Sequence, residues 1–169
     1  MNVSFSTRGW QQIPWEQQVQ MAETMRFGGV ELYNVHKTPE LTGRGGPLHR
    51  YTAAATAREL WQKSLCIPCF DTACDIAGED CTETVTALMQ LAHDVQCPYV
   101  SVTAQRDDDA RISAALEALL PAAEAQGITI LLKTSGIFSD TARLRTLLDA
   151  FACDQLGALH NRFYTPVWD

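Results

Sequence analysis

Several things are missing from this chain. No apolar run is long enough to span a bilayer, and the N-terminus shows no charged-then-apolar leader, so a cytoplasmic protein without a membrane segment is expected. Basic charge is scarce: 13 Lys and Arg stand against 20 Asp and Glu, for a formal net charge of −7. Phosphate backbones require clustered Lys and Arg, so no nucleic-acid partner is expected. No glycine-rich loop follows the first strand-like run, where Arg8-Gly9-Trp10 stands instead, which argues against an open nucleotide-binding sheet.

Metal-ligand spacing is missing too. His36, His49, His93 and His160 form no two-histidine helical pair. Cys66-x-x-Cys69 has no matching second pair, although Cys74 and Cys81 follow. Both Cys66 and Cys69 fall in a run read as a buried strand, where a three-residue offset points them to opposite faces. They are therefore expected to be buried, reduced thiols. His93 falls in a helical stretch and reads as structural. The acidic run Asp107 to Asp109 reads as a solvated helix start.

What is present is a repeat. A short apolar strand followed by an amphipathic helix recurs five times, and a sixth strand precedes the C-terminus. The predicted strands are Val3 to Ser6, Val30 to Tyr33, Cys66 to Phe70, Tyr99 to Val102, Ile128 to Leu132 and Leu156 to Leu159. The predicted helices are Pro14 to Met25, Thr52 to Lys63, Thr82 to Val95, one from Asp107 to Gly127, and one capped by Ser139 or Asp140 that runs to Phe151. Gly28-Gly29 reads as the stop of the first helix. Lys37 to Arg50, rich in Gly and Pro, reads as a loop. At 46% hydrophobic residues the chain can bury one core, so residues 1–169 are expected to form a single domain.

Apolar strands alternating with helices argue for a parallel sheet covered by helices. An open doubly wound sheet and a closed barrel both satisfy that pattern. A complete barrel needs about 250 residues. The expectation is therefore a parallel (β/α) TIM-barrel type, with about six strands of an eight-stranded barrel.

In such folds chemistry sits at the C-terminal ends of the strands. Arg8 and Trp10 follow the first strand. Glu31 and His36 lie in and after the second. Asp71 and Asp75 follow the third, and Thr103 the fourth. Lys133 and Ser135 follow the fifth, and His160-Asn161 the sixth. Lys133 stands out because it directly follows five apolar residues on a central strand. A lysine there must reach the rim, pair with a carboxylate or shed its proton.

Two segments carry a resemblance. Phe27-Gly28-Gly29-Val30-Glu31-Leu32, and Leu131 to Phe138 with Asp140-Thr141-Ala142-Arg143-Leu144, resemble the xylose isomerase-like barrels. These are the sugar (phosphate) isomerases and epimerases, related to the apurinic endonucleases. The resemblance spans Val3 to Leu159. It implies a divalent Mn, Mg, Co or Zn ion held by carboxylates and a histidine. It also implies paired carboxylates that move the proton alpha to a carbonyl.

This sequence departs from that pattern at the ligands. The strand-five glutamate falls on Lys133, the following histidine on Ser135 and the strand-six aspartate on Asn161. After His160 the pattern stops, which fits a truncated, frame-shifted or fragmentary chain. The expectation is thus an isomerase/epimerase-like protein without a bound metal or other cofactor. Lys133, Glu31 and Asp71 are its catalytic candidates. Arg8, Trp10, His36, Thr103, Ser135 and Asn161 are expected to contact a small sugar or polyol. The alternative is a non-catalytic half-barrel that binds a polyhydroxy ligand or another subunit. Open edges at the first and last strands predict pairing of copies.

Overall fold

The computed structural model describes residues 3–160. Its strands are β1 (Ser4–Ser6), β2 (Gly29–Tyr33), β3 (Cys69–Asp75), β4 (Tyr99–Thr103), β5 (Thr129–Lys133) and β6 (Leu156–Leu159). They form one sheet in chain order, β1-β2-β3-β4-β5-β6, with every neighbouring pair parallel. The helices between them are α1 (Trp15–Thr24), the short α2 (Pro39–Thr42), α3 (Ala53–Gln62), α4 (Cys81–Asp94), α5 (Asp109–Gln126) and α6 (Thr141–Phe151). Sequential parallel strands with helical crossovers make this the α/β arrangement of a barrel wall. Among the described residues no helix is long and apolar enough to cross a membrane.

One face of the sheet is sealed by helices. Val30, Leu32, Phe70, Val100, Val102, Ile130 and Leu132 are at most 1% exposed and join the helices in one core. Side chains alternate along a strand, so Glu31, Tyr33, Cys69, Asp71, Ser101, Thr103, Thr129 and Lys133, together with Tyr99 and Leu131, lie on the opposite face. That second face is mostly polar, and in a closed barrel it is the interior.

Four of the helices end in one recurring way. Arg26 (φ 58°), Ser64 (φ 58°) and Gln96 (φ 58°) are left-handed one residue past the caps of α1, α3 and α4, and Gly127 (φ 66°) is left-handed at the cap of α5 itself. In each case the next amide reaches back to the last turn. Phe27, Leu65, Cys97 and Ile128 donate to the carbonyls of Ala22, Leu60, Ala92 and Ala123 at 2.8–2.9 Å. This is the Schellman closure, and its apolar second residue turns the chain into the core. It corrects the reading of Gly28-Gly29 as the first helix stop: Arg26 makes that turn, and Gly29 already belongs to β2.

Two further expectations are corrected. β3 begins at Cys69, not Cys66. Cys66 makes only an isolated bridge to Gly29. Pro68, which cannot donate to a ladder, stands before the paired run. The strand then continues through Asp71 to Asp75, with a shift of register between those two and a left-handed Ala73 (φ 54°). Cys66 is consequently exposed, not a buried strand thiol. The loop read from Lys37 to Arg50 contains α2, which has Pro39 at its first position.

Candidate functional site

The register lines up the polar face. Tyr33 pairs with Asp71, Asp71 with Ser101, Ser101 with Leu131, and Leu131 with Gly157. Lys133 sits two residues further along β5, opposite Leu159. Its ammonium reaches across β4 and forms an ion pair with the Asp71 carboxylate. The two side chains are 6% and 5% exposed. Ala73 N–H donates to the other Asp71 oxygen at 3.2 Å, a bond that the left-handed turn at Ala73 makes possible. Ser101, fully buried between the two strands, has a hydroxyl without a hydrogen-bond partner.

Further candidates surround the pair without touching it. Glu31 is half-buried one level deeper on the same face, beside Cys69. Burial pushes the Cys69 thiol well above its ordinary value, with Cys97 and Glu31 adding to the effect. Thr103 donates its hydroxyl to the Cys74 carbonyl at 2.9 Å. Ser135 is half-buried just past β5, its amide on the Lys133 carbonyl at 2.8 Å. Asp75 accepts from the Gln105 amide at 3.1 Å and pairs with Arg106 at 3.3 Å, tying the ends of β3 and β4 together.

The remaining candidates are spread along the rim. Arg8 lies over the Tyr33 ring, 5.1 Å from its centroid. Trp10 packs on Phe5 with ring centroids 6.0 Å apart. His36 sits in the turn after β2, with its Nδ1 buried and without a hydrogen-bond partner. Burial, helped by Lys37, lowers its pKa, so the ring is neutral at pH 7. Asn161 lies outside the described residues. Ser101 was not singled out by sequence. The signal for it was the alternation Tyr99, Ser101, Thr103, which places three polar side chains on one face of a strand read as uniformly apolar.

Chemically, the face offers a donor and an acceptor side by side in a dry setting. Ammonium and carboxylate in contact can grip the oxygens of a polyhydroxy compound, one donating and the other accepting. A divalent ion is a different matter. Lys133 Nζ, already paired with Asp71, is itself the cation of this face, and a second cation beside it would be repelled. Among the described residues no group of three or more His, Cys, Asp or Glu is placed to hold a metal. The described residues of this face do not fit a divalent cation.

Comparison with solved structures identifies the fold. The structure is similar to a probable 3-DHS dehydratase, AsbF, from Bacillus anthracis, with a TM-score of 0.72 and 19% identity over 95% of this chain and 62% of that one. It is also similar to a xylose isomerase domain protein from Planctomyces limnophilus, with a TM-score of 0.67 and 13% identity over 94% of this chain and 60% of that one. A third similar structure is the IolI protein with a bound zinc atom, with a TM-score of 0.69, 13% identity and 94% and 62% coverage. The fold is that of the xylose isomerase-like TIM barrels, and this chain spans less than two thirds of the length of those structures. No family model matches the sequence, and no curated protein matches it.

Proposed function

We propose that this chain is a sugar isomerase- or epimerase-like protein that binds a small polyhydroxylated carbonyl compound on the polar face, without a divalent ion. The observation that carries this reading is the buried Lys133–Asp71 pair near the C-terminal ends of the central strands. Lys133 donates to the ligand's carbonyl or hydroxyl oxygen, and Asp71 accepts from a neighbouring hydroxyl. Glu31, Thr103 and Ser135 supply further polar contacts nearby. Arg8, Trp10, His36 and Asn161 serve the outer end of the ligand. Support comes from the solved structures that share the fold, which include a xylose isomerase domain protein and a D-tagatose 3-epimerase-like protein.

Binding without turnover is the expected behaviour of the chain by itself. An ammonium committed to one carboxylate leaves no second carboxylate in contact to return a proton on the other side of a carbon. We propose further that copies associate through the edges of β1 and β6, which pair with no strand beyond them among the described residues.

Calorimetry and thermal shift against a panel of aldoses, ketoses, cyclitols and their phosphates test this reading. Binding by at least one class is expected, with a melting temperature that rises with ligand concentration. It should be lost in the folded double variant Lys133→Met, Asp71→Leu. Mn²⁺, Mg²⁺, Co²⁺ and Zn²⁺ are expected to leave the melting temperature unchanged. A metal-dependent rise would restore the metalloenzyme reading, and light scattering checks the association.

A further inference from the structure

A cavity of about 440 Å³ lies between the turn after β1 and the segment that follows β2. Ligand sites commonly fall in that size range. Both of its walls are tied down. On one side Gln18 of α1 donates its Nε2 to the carbonyls of Trp10 at 3.2 Å and Ile13 at 2.7 Å, which fixes the turn leading into the helix. On the other side Thr52 donates its hydroxyl to the Gly46 carbonyl and Thr56 donates to the Pro47 carbonyl, both at 2.6 Å. A Cβ on Gly46 would stand 2.4 Å from the Leu41 carbonyl oxygen, so this wall depends on glycine there. Thr7 and Tyr33 also line the cavity, joined by the Tyr33 amide on Thr7 Oγ1 at 2.9 Å. Tyr33 pairs with Asp71 in the sheet, so the cavity adjoins the polar face without including the ion pair.

The hydrogen-bonding capacity left in this cavity is mainly that of acceptors. Gln18 is only 5% exposed, and its Nε2 is spent on two carbonyls while its Oε1 is buried without a partner. The Thr38 hydroxyl gives its hydrogen to the Asn34 carbonyl at 3.2 Å. Glu16 and Glu40 also line the cavity, and being exposed they stand at its mouth. Neither is in an ion pair among the described residues, whereas Glu23, outside the cavity, is held by Lys63 at 3.0 Å. Gln11 and Gln12 add exposed amides, which carry no charge. Among the described residues no lysine, arginine or histidine lines the cavity, and Arg8 stands on the Tyr33 ring outside it. A phosphate or carboxylate entering here would meet two like charges and no cation of the lining. An ammonium would meet its natural partners, and a hydroxyl would fill the orphaned acceptor.

We propose that this cavity binds a small hydroxylated amine of the amino sugar class and discriminates against phosphorylated sugars. Glu16 and Glu40 hold the ammonium at the mouth. A ligand hydroxyl donates to Gln18 Oε1 in the wall, which relieves a buried acceptor that otherwise goes unsatisfied. The apolar edge of the ring lies against Ile13, Trp15 and Leu41, which line the same cavity. This site lies outside the Lys133–Asp71 pair and needs no ligand on the polar face.

Calorimetry with glucosamine, glucose and glucose 6-phosphate tests the site, because the three probes share a ring and differ in charge. Wild-type protein should bind glucosamine most tightly and glucose 6-phosphate most weakly. The double variant Glu16→Gln, Glu40→Gln should weaken glucosamine roughly fivefold and leave glucose within about twofold, since exposed carboxylates each contribute modestly. Added salt should shrink the advantage of glucosamine over glucose for the same reason. The ion-pair variant Lys133→Met, Asp71→Leu should bind glucosamine as wild type does. Glucose 6-phosphate binding as tightly as glucosamine, no binding of glucosamine, or a preference for the amine that survives loss of both glutamates would each overturn the proposal. So would loss of glucosamine binding in the ion-pair variant with the glutamate variant unaffected, which would move the amine to the polar face. Both glutamates are exposed, so their replacement spares the fold, and the wild-type comparison of the three probes decides by itself.

Discussion

Lys133 and Asp71, 62 residues apart in sequence, meet across β4 in an ion pair that is about 95% removed from solvent. The ladder explains why. Asp71 and Lys133 occupy the same face of β3 and β5, and Ser101, the residue between them, is too small to separate them. A buried ammonium without a partner costs several kcal/mol, so this lysine constrains the whole face.

The first prediction follows from that constraint. Asp71→Ala or Lys133→Met alone strands one buried charge and should destabilise the fold by about 3–5 kcal/mol. The double change Lys133→Met, Asp71→Leu removes both charges and should recover most of that loss, because a well-packed apolar pair is often as stable as a buried ion pair. Urea denaturation of the four species gives the coupling. Equal and additive losses would show that the pair is not coupled.

The second prediction concerns the helix stops. Arg26, Ser64 and Gln96 hold a left-handed backbone that costs a residue with a Cβ about 1–2 kcal/mol, while glycine adopts it freely. All three are exposed at the turn. Arg26→Gly, Ser64→Gly and Gln96→Gly should each stabilise the chain by about 0.5–1 kcal/mol once glycine's extra chain entropy is deducted. Melting temperatures that fall in all three would contradict the Schellman assignment.

These turns also show where the sequence was hard to read. The strands at Tyr99, Thr129 and Leu156 were found within a residue, because each is a short apolar run bounded by helix caps. The cap was read as Ser139 or Asp140; Asp140 is the one, and its carboxylate accepts from the Ala142 and Arg143 amides. β3 was placed too early because Cys66-Ile67-Pro68 looks more strand-like than Asp71-Thr72-Ala73-Cys74-Asp75. Only cross-strand pairing could reveal that the polar stretch is the strand. Lys133 was legible because lysine after a buried apolar run is chemically anomalous, and Asp71 stood at the same end of the repeat. Ser101 alternates visibly with Tyr99 and Thr103, but its place between Asp71 and Lys133 was not legible, since it depends on a cross-strand register that no local spacing encodes.

The third prediction is a pH dependence. Burial pushes the Cys97 thiol from 9.0 to about 12, and Cys69 moves in the same direction. A raised pKa in the folded state means the unfolded chain releases the proton first. The stability these neutral thiols support is therefore complete below pH 9 and is lost as pH rises from 9 towards 12. Urea midpoints followed across that window should fall steadily. Cys97→Ala, whatever its cost at pH 7, should flatten the slope, and an unchanged slope would assign the alkaline loss to other groups.

The last prediction concerns Gly136, which closes the rim beside Lys133. It begins the 3-10 turn after β5 with φ 62°. A Cβ there would collide with the Ala104 carbonyl oxygen at the end of β4, an oxygen that also accepts from the Ile137 amide at 3.0 Å. Gly136→Ala therefore combines backbone strain with a clash against main chain that is itself hydrogen-bonded. The loss should reach about 2 kcal/mol or more. Gly9, in the turn after β1, has nothing within 4 Å of its Cβ position. Gly9→Ala is thus the matched control and should stay within about 0.5 kcal/mol of wild type. Any ligand of the polar face should bind more weakly to Gly136→Ala than to Gly9→Ala, because displacing Ala104 moves the end of β4 next to Lys133. Equal stability in the two variants would mean that the close approach of β4 and the turn after β5 is not what holds this rim together.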